Sequence, residues 1–216
     1  MIRVLLVDDD PLVRAGLAMI IATATDMQVV GEAGDGEEAI DEVRTHRPDV
    51  VLMDIRMPNL DGIRATALVR TLPQPPEVLV LTTIAADAYV LDALRAGASG
   101  FLLKDTPPAA IVAAVRQVAD GVPSLSPTVA RTVIAHVARE GGAERQAAAR
   151  ATLGELSDRE REVAVQVGRG LSNAEIGIAL FLSEATVKAH VSRLLTKLDL
   201  NNRVQIAMLV HDADMR

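Results

Sequence analysis

The sequence predicts a doubly wound α/β unit of five parallel strands, followed by a smaller unit built from helices alone. Short apolar runs without polar alternation recur at residues 2–7, 50–53, 78–81 and 100–103, the pattern of strands buried on both faces of a parallel sheet. Apolar residues at helical spacing fill the intervals between them, which gives the strand–helix order of a doubly wound sheet. From Leu153 onward the strand pattern stops and only helix signals remain.

Taken in order, the strand at 2–7 runs into Asp8, Asp9 and Asp10. Pro11 then suits a first helical turn, and Val13, Leu17, Ile20 and Ile21 mark the buried side of that helix. Residues 28–30 make a short second strand, and 35–43 a helix with Glu37, Glu38, Asp41 and Glu42 turned outward. Arg47 and Pro48 break the chain before the strand at 50–53, which ends in Asp54. Residues 63–69 form a third helix, stopped by the Pro73-Gln74-Pro75-Pro76 turn. The strand at 78–81, a helix at 87–96, the strand at 100–103 and a helix carrying Ile111, Val115 and Val118 close the unit. The boundaries drawn are 1–122 for this unit, 123–152 for a linker and 153–216 for the helical unit. Within the linker, residues 129–138 read as an extra helix. Residues 139–151 have almost no large apolar side chain, so a loose spacer and a helical arm both fit them.

Composition narrows the class. The chain has 216 residues, 50% of them hydrophobic, enough for two packed cores, and with aromatics at 1% those cores must be aliphatic. It has no cysteine, which excludes disulfides, thiolate metal sites and a cysteine nucleophile. No basic-then-apolar leader opens the sequence and no apolar run approaches membrane-spanning length, so a soluble cytoplasmic protein is expected, without membrane partners. The Gly31, Gly34, Gly36 cluster lacks the strand-to-helix order of a dinucleotide fingerprint.

The chemistry lies at strand ends, the rim where open α/β sheets collect ligands. If the strands at 2–7 and 50–53 are neighbours, at least three carboxylates gather there, and only a hard divalent cation would let them share the space. Solvated loop acids and helix caps are the plainer reading of the same residues. The strand at 78–81 ends in Thr82 and Thr83, and the strand at 100–103 in Lys104. A carboxylate nucleophile, a bound cation, a hydroxyl and an ammonium are the set needed to accept a phosphoryl group and hold its oxygens.

Asp8-Asp9, Asp54, Thr82, Phe101 and Lys104, with Met57-Pro58 and Asp61-Gly62 in the loop after Asp54, resemble the receiver domain of bacterial two-component response regulators over roughly residues 1 to 120. The resemblance implies a flavodoxin-like fold with Asp54 as phosphoacceptor. Asp9, Asp54 and the backbone carbonyl of Arg56 would ligate Mg2+ (or Mn2+), with Asp8 acting largely through water. Lys104 would pair with the phosphoryl oxygens and Thr82 would hydrogen-bond them. Thr82 and Phe101 would form the switch; Phe101 lacks a hydroxyl, which leaves ring burial as its signal. Arg56 and Ile84 take the family's variable positions beside the acyl phosphate, and the bulk of Ile84 predicts slow self-dephosphorylation.

In the helical unit, Ser157 with Glu160 and Ser172 with Glu175 have capping-box spacing, so a helix should start at each. Ser183 caps a third, whose Val187, Val191, Leu194, Leu195 and Leu198 make one apolar stripe. Ala185, Lys188, Ala189, Ser192 and Arg193 fall on the other side, a small-residue face flanked by cations that can enter a major groove. Gly177 sits inside the second helix, at a cost of about 1 kcal/mol relative to alanine. The blocks 156–163, 170–176 and 183–191 are very similar to the LuxR/NarL-type helix-turn-helix. That similarity implies a four-helix domain in which Lys188, Ala189 and Ser192 face bases. Thr186, Arg193 and Arg203 would touch phosphates, and Val204, Ala207 and Met208 would supply a dimer contact.

From Leu153 the chain carries eight Lys and Arg against nine Asp and Glu, a net of −1; the part before it carries 14 against 20, a net of −6. DNA affinity must therefore come from cations concentrated on one face, be salt-sensitive, and gain from pairing two domains. The expected protein is a transcription factor switched by a partner sensor histidine kinase, binding double-stranded DNA as a homodimer. It is not an enzyme. Two alternatives stay open: a regulator that binds DNA without phosphorylation, and a small phosphotransferase, which would need a second acid or base beside Asp54.

Overall fold

The protein was analysed as a computed structural model that describes residues 1–83, 87–126, 129–130 and 143–213. Strands and helices alternate through the first half as β1 (Ile2–Val7), α1 (Pro11–Ala22), β2 (Met27–Ala33), α2 (Gly36–His46), β3 (Val50–Met53) and α3 (Gly62–Arg70). They continue as β4 (Glu77–Thr82), α4 (Asp87–Ala96), β5 (Gly100–Leu103), α5 (Pro108–Ala119) and β6 (Ser124–Leu125). The sheet order is β2-β1-β3-β4-β5-β6, with every pair parallel. The expected five strands are thus corrected to six. Ser124 and Leu125, assigned by sequence to the linker, lie opposite Gly100 and Phe101, and Ser126 N–H donates to the Phe101 carbonyl. A two-residue strand shows no periodicity, yet it occupies backbone groups that β5 would otherwise leave open at the edge.

Both sheet faces are covered, as apolar strands without alternation require. One apolar layer packs Leu5, Val51, Met53, Val78, Val80 and Phe101 under α2, α3 and α4; the other packs Val4, Leu6, Leu52, Leu79 and Leu81 under α1 and α5. Asp10, Asp35 and Asp61 cap α1, α2 and α3 with their side chains. Asp10 is therefore a cap, as its residue type alone would suggest.

The helical half contains α6 (Ala143–Gly154), α7 (Asp158–Gly168), α8 (Asn173–Leu180), α9 (Glu184–Lys197) and α10 (Arg203–Asp212). Both capping boxes form, Ser157 with Glu160 and Ser172 with Glu175. Lys197 donates to Glu160 at 2.8 Å, ties α9 to the start of α7, and holds the Glu160 carboxyl down at about 2. The core is Leu153, Leu156, Val163, Val167, Ile176, Val187, Leu194 and Ile206. Residues 143–154 decide between spacer and arm: they are helical, and Ala149 and Leu153 enter that core. Of the extra helix expected at 129–138, residues 131–138 lie outside the described residues. Gly177 has a reason to be there: a Cβ on it would stand 2.7 Å from the Leu182 carbonyl, and Leu182 N–H donates to the Gly177 carbonyl as the chain turns into α9. Among the described residues no helix is long and apolar enough to cross a membrane.

Among the described residues the two halves meet at the end of α5, where the Asn173 amide donates to the Asp120 carbonyl and Arg203 to that of Gly121, and along α4. The start of α10 lies against the end of α4, where Val204 is buried with the sheet's α2–α4 layer and Met208 packs on it. Arg70 in α3 donates twice to the Asn201 carbonyl, at 3.0 and 2.7 Å.

Candidate functional site

The site begins with strand register. Val7 pairs with Met53, so Asp8 and Asp54 leave neighbouring strands at the same level, and Asp54 N–H donates to the Val7 carbonyl at 2.8 Å. Gly62 lets the loop after Asp54 close tightly, since a Cβ there would fall 1.8 Å from the Asp54 carbonyl oxygen. The consequence is a cluster: Asp8, Asp9 and Asp54 each offer a carboxylate oxygen, all within 4.8 Å of one another. Asp8 is 1% and Asp54 6% exposed. Lys104 Nζ lies 2.5 Å from Asp8 and 3.2 Å from Asp54, so one ammonium sits against two carboxylates.

Electrostatics follow from that crowding. Burial raises the Asp54 carboxyl above its ordinary range, Asp8 adds to the rise, and Lys104 opposes it. Burial also pulls on Lys104, but its hydrogen bond to Asp8 and the Asp54 charge outweigh this and raise it. Like charges held this close favour uptake of a proton or a cation. A set made only of hard carboxylate oxygens fits Mg2+ or Mn2+.

The other expected residues stand on the same rim. Thr82 ends β4, is 2% exposed, and its carbonyl accepts from Lys104 N–H at 2.8 Å. Phe101 on β5 is fully buried in the α2–α4 layer, opposite Val80. Arg56 turns its side chain over the Tyr89 ring, 5.9 Å from the centroid. Ile84 lies outside the described residues.

In the helical half, α9 presents Ala185, Thr186, Lys188, Ala189, Ser192 and Arg193, all exposed. Val187 and Leu194 on the opposite side are fully buried. Ser183 caps the helix through Thr186 N–H, and the Ser192 hydroxyl donates back to the Lys188 carbonyl. Lys188 and Arg193 make no ion pair among the described residues, which leaves both cations available to phosphates. Arg203 is placed differently from its sequence expectation. It is 7% exposed, its guanidinium donates to the carbonyls of Gly121 and Leu171 and to Asn173, and burial lowers its pKa.

Comparison with known proteins assigns a family to each half. The family model of the response regulator receiver domain matches residues 4–116, and that of the luxR family of bacterial regulatory proteins matches residues 154–210. The chain belongs to the LuxR-type response regulators. The transcriptional regulatory protein YxjL of Bacillus subtilis is 41% identical over 204 residues, covering 94% of this chain and 92% of that protein. LiaR of the same organism is 38% identical over 211 residues, covering 98% and 97%. Among solved structures, the response regulator ChrA of a heme-sensing two-component system superposes with a TM-score of 0.54 at 38% identity, covering 100% of this chain and 98% of that one. The protein is thus a two-component response regulator acting as a transcription regulator, a class that implies a kinase and DNA as partners.

Some residues of this response regulator that matter were silent in its sequence. Asn201, Asn202, Gln205 and Arg70 form the joint between receiver and output domain. An Asn-Asn pair before a helix signals only a cap, and nothing in one chain tells which other helix that cap will meet.

Proposed function

We propose that Asp54 of this regulator accepts a phosphoryl group from a sensor histidine kinase and that the acyl phosphate promotes dimerisation and operator binding. The single observation that carries this reading is the cluster of Asp8, Asp9 and Asp54, with Lys104 against two of the three. In the reaction, a carboxylate oxygen of Asp54 attacks phosphorus and the donor's leaving group departs with its electron pair. Asp8, Asp9, Asp54 and the Arg56 carbonyl would hold Mg2+ or Mn2+, which neutralises the acids and draws the phosphoryl oxygens into place. Lys104, now against Asp8 and Asp54, would turn to the phosphoryl oxygens, and the Thr82 hydroxyl would donate to them. Thr82 and buried Phe101 share the rim that must then adjust. Self-dephosphorylation would be slow, with Ile84 shielding the acyl bond from water.

At the output end, Lys188, Ala189 and Ser192 would face bases, with Ala185 on the same small-residue face, while Thr186 and Arg193 would touch phosphates. Arg203 would join them only after leaving its buried position. Val204, Ala207 and Met208 would pair two output domains on one operator. The receiver would extend past the expected limit of 122 to include β6 and the output domain would begin with α6 rather than at 153, and the work would be done in the cytoplasm.

The test is labelling of the full chain with acetyl phosphate and Mg2+, read beside gel-shift binding to the DNA upstream of its own gene. One phosphoryl per chain, none on Asp54→Asn, and tighter binding only in the labelled protein are expected. Label on Asp54→Asn, or turnover beyond one phosphoryl, would overturn the reading in favour of a phosphotransferase. A second reading, DNA binding without phosphorylation, is favoured by the openness of the α9 face; equal DNA affinity of the wild type and Asp54→Asn in the presence of acetyl phosphate would select it.

A further inference from the structure

The two surfaces of the output domain are treated differently by the receiver. The reading face of α9 stands open, whereas the start of α10 is held. The Asn202 amide donates to the carbonyls of Leu94 at 2.7 Å and Ala98 at 2.9 Å. The Gln205 amide donates to Leu94 and Arg95, at 3.1 and 3.2 Å, and the Asn201 amide to Arg95 at 3.3 Å. The Leu94 and Arg95 carbonyls lie in the last turn of α4, at the negative end of the helix dipole, where Leu94 also accepts Gly97 N–H at 3.2 Å; the Ala98 carbonyl lies just beyond the helix. Three carboxamides from one domain therefore cap a helix of the other. Asn202 does so twice over, because its amide oxygen also accepts Gln205 N–H and caps α10 itself. It is 1% exposed. Val204, two residues on, is buried at 7% exposure against the receiver's apolar layer.

We infer that the receiver restrains this regulator by occupying its pairing helix, through an amide clamp centred on Asn202, and leaves the DNA-reading helix free. The inference rests on the proposed dimer contact of Val204, Ala207 and Met208. One surface cannot serve two partners, so each contact that holds α10 on α4 subtracts from pairing of two output domains. α4 would serve as the lever, since its ten residues span about 15 Å and end at the clamp. A shift of α4 would then reach the joint with no contact to the reading helix.

Asn202→Asp tests this. A carboxylate still accepts from Gln205 N–H and so keeps the α10 cap, but it cannot donate, and it sets a negative charge against two carbonyls. Sedimentation of the full chain without phosphodonor should show the dimer dissociation constant of the variant lowered about tenfold or more relative to wild type. Gln205→Glu removes the second pair of donors and should shift it in the same direction if Asn202→Asp does not fold. Both variants sedimenting as wild type at every concentration would overturn the clamp. Because no phosphodonor is present, failure of the wild type to take label at Asp54 would sink the phosphorylation reading alone and leave this result standing.

Discussion

Asp54 and Lys188 show two ways in which this chain holds charge. Asp54 is nearly sealed from water and shares its space with Asp8, Asp9 and Lys104, so the state of each group depends on the others. Lys188 stands on an exposed face with no counter-charge among the described residues, where salt screens it within about 8 Å. Burial would make the receiver's response all-or-none, since removing one carboxylate changes the surroundings of every other group in the cluster. Exposure makes DNA binding graded, since each cation adds a small increment that salt can cancel.

The comparison can be broken first through the output core. Leu194 is fully buried on the back of the reading helix, and Leu194→Ala should cost about 2–5 kcal/mol. Chemical unfolding followed by circular dichroism should show the helical transition moving to lower denaturant, while labelling of Asp54 persists. Loss of labelling in that variant would mean that the receiver depends on the output fold.

The second effect is a pH dependence special to the receiver. Because the folded Asp54 carboxyl titrates above its unfolded value of 3.8, the folded protein binds the extra proton in that window, and stability falls as pH rises through it. Without divalent cation, Asp54→Asn should therefore melt higher than wild type near pH 7. That advantage should shrink toward pH 4, and excess Mg2+ should abolish it at neutral pH. A difference in melting temperature that ignores both pH and Mg2+ would refute the buried-charge account.

The smallest effect belongs to the exposed face. Lys188→Ala should weaken DNA binding only severalfold and reduce the slope of log affinity against log salt by roughly one. An unchanged slope, measured by fluorescence anisotropy at several salt concentrations, would place Lys188 away from phosphate. A total loss of binding would show that it is not one of many increments.

Much of this was readable in advance, and the reasons are physical. Asp8 and Asp54 end apolar runs, so once the strands were recognised their meeting needed only adjacency. Ser157, Ser172 and Ser183 announced their helices because capping is a local act. What stayed hidden was non-local or too short to repeat. The pairing of Ser124 and Leu125 with β5 has no period to detect, and Asp10 differs from Asp8 only in the direction its side chain takes. The cost of Gly177 looked like an oddity until the Leu182 carbonyl appeared beside it.

By itself the order of residues determined the alternation of strands and helices, the acids at the strand ends and the polar face of the reading helix. All of these depend on neighbours a few positions away. Only the tertiary structure decided that Arg203 and Val204 face inward and that Asn202 caps a helix more than a hundred residues earlier. A free amide or guanidinium suits many acceptors equally well, and the folded chain alone selects which carbonyls it meets.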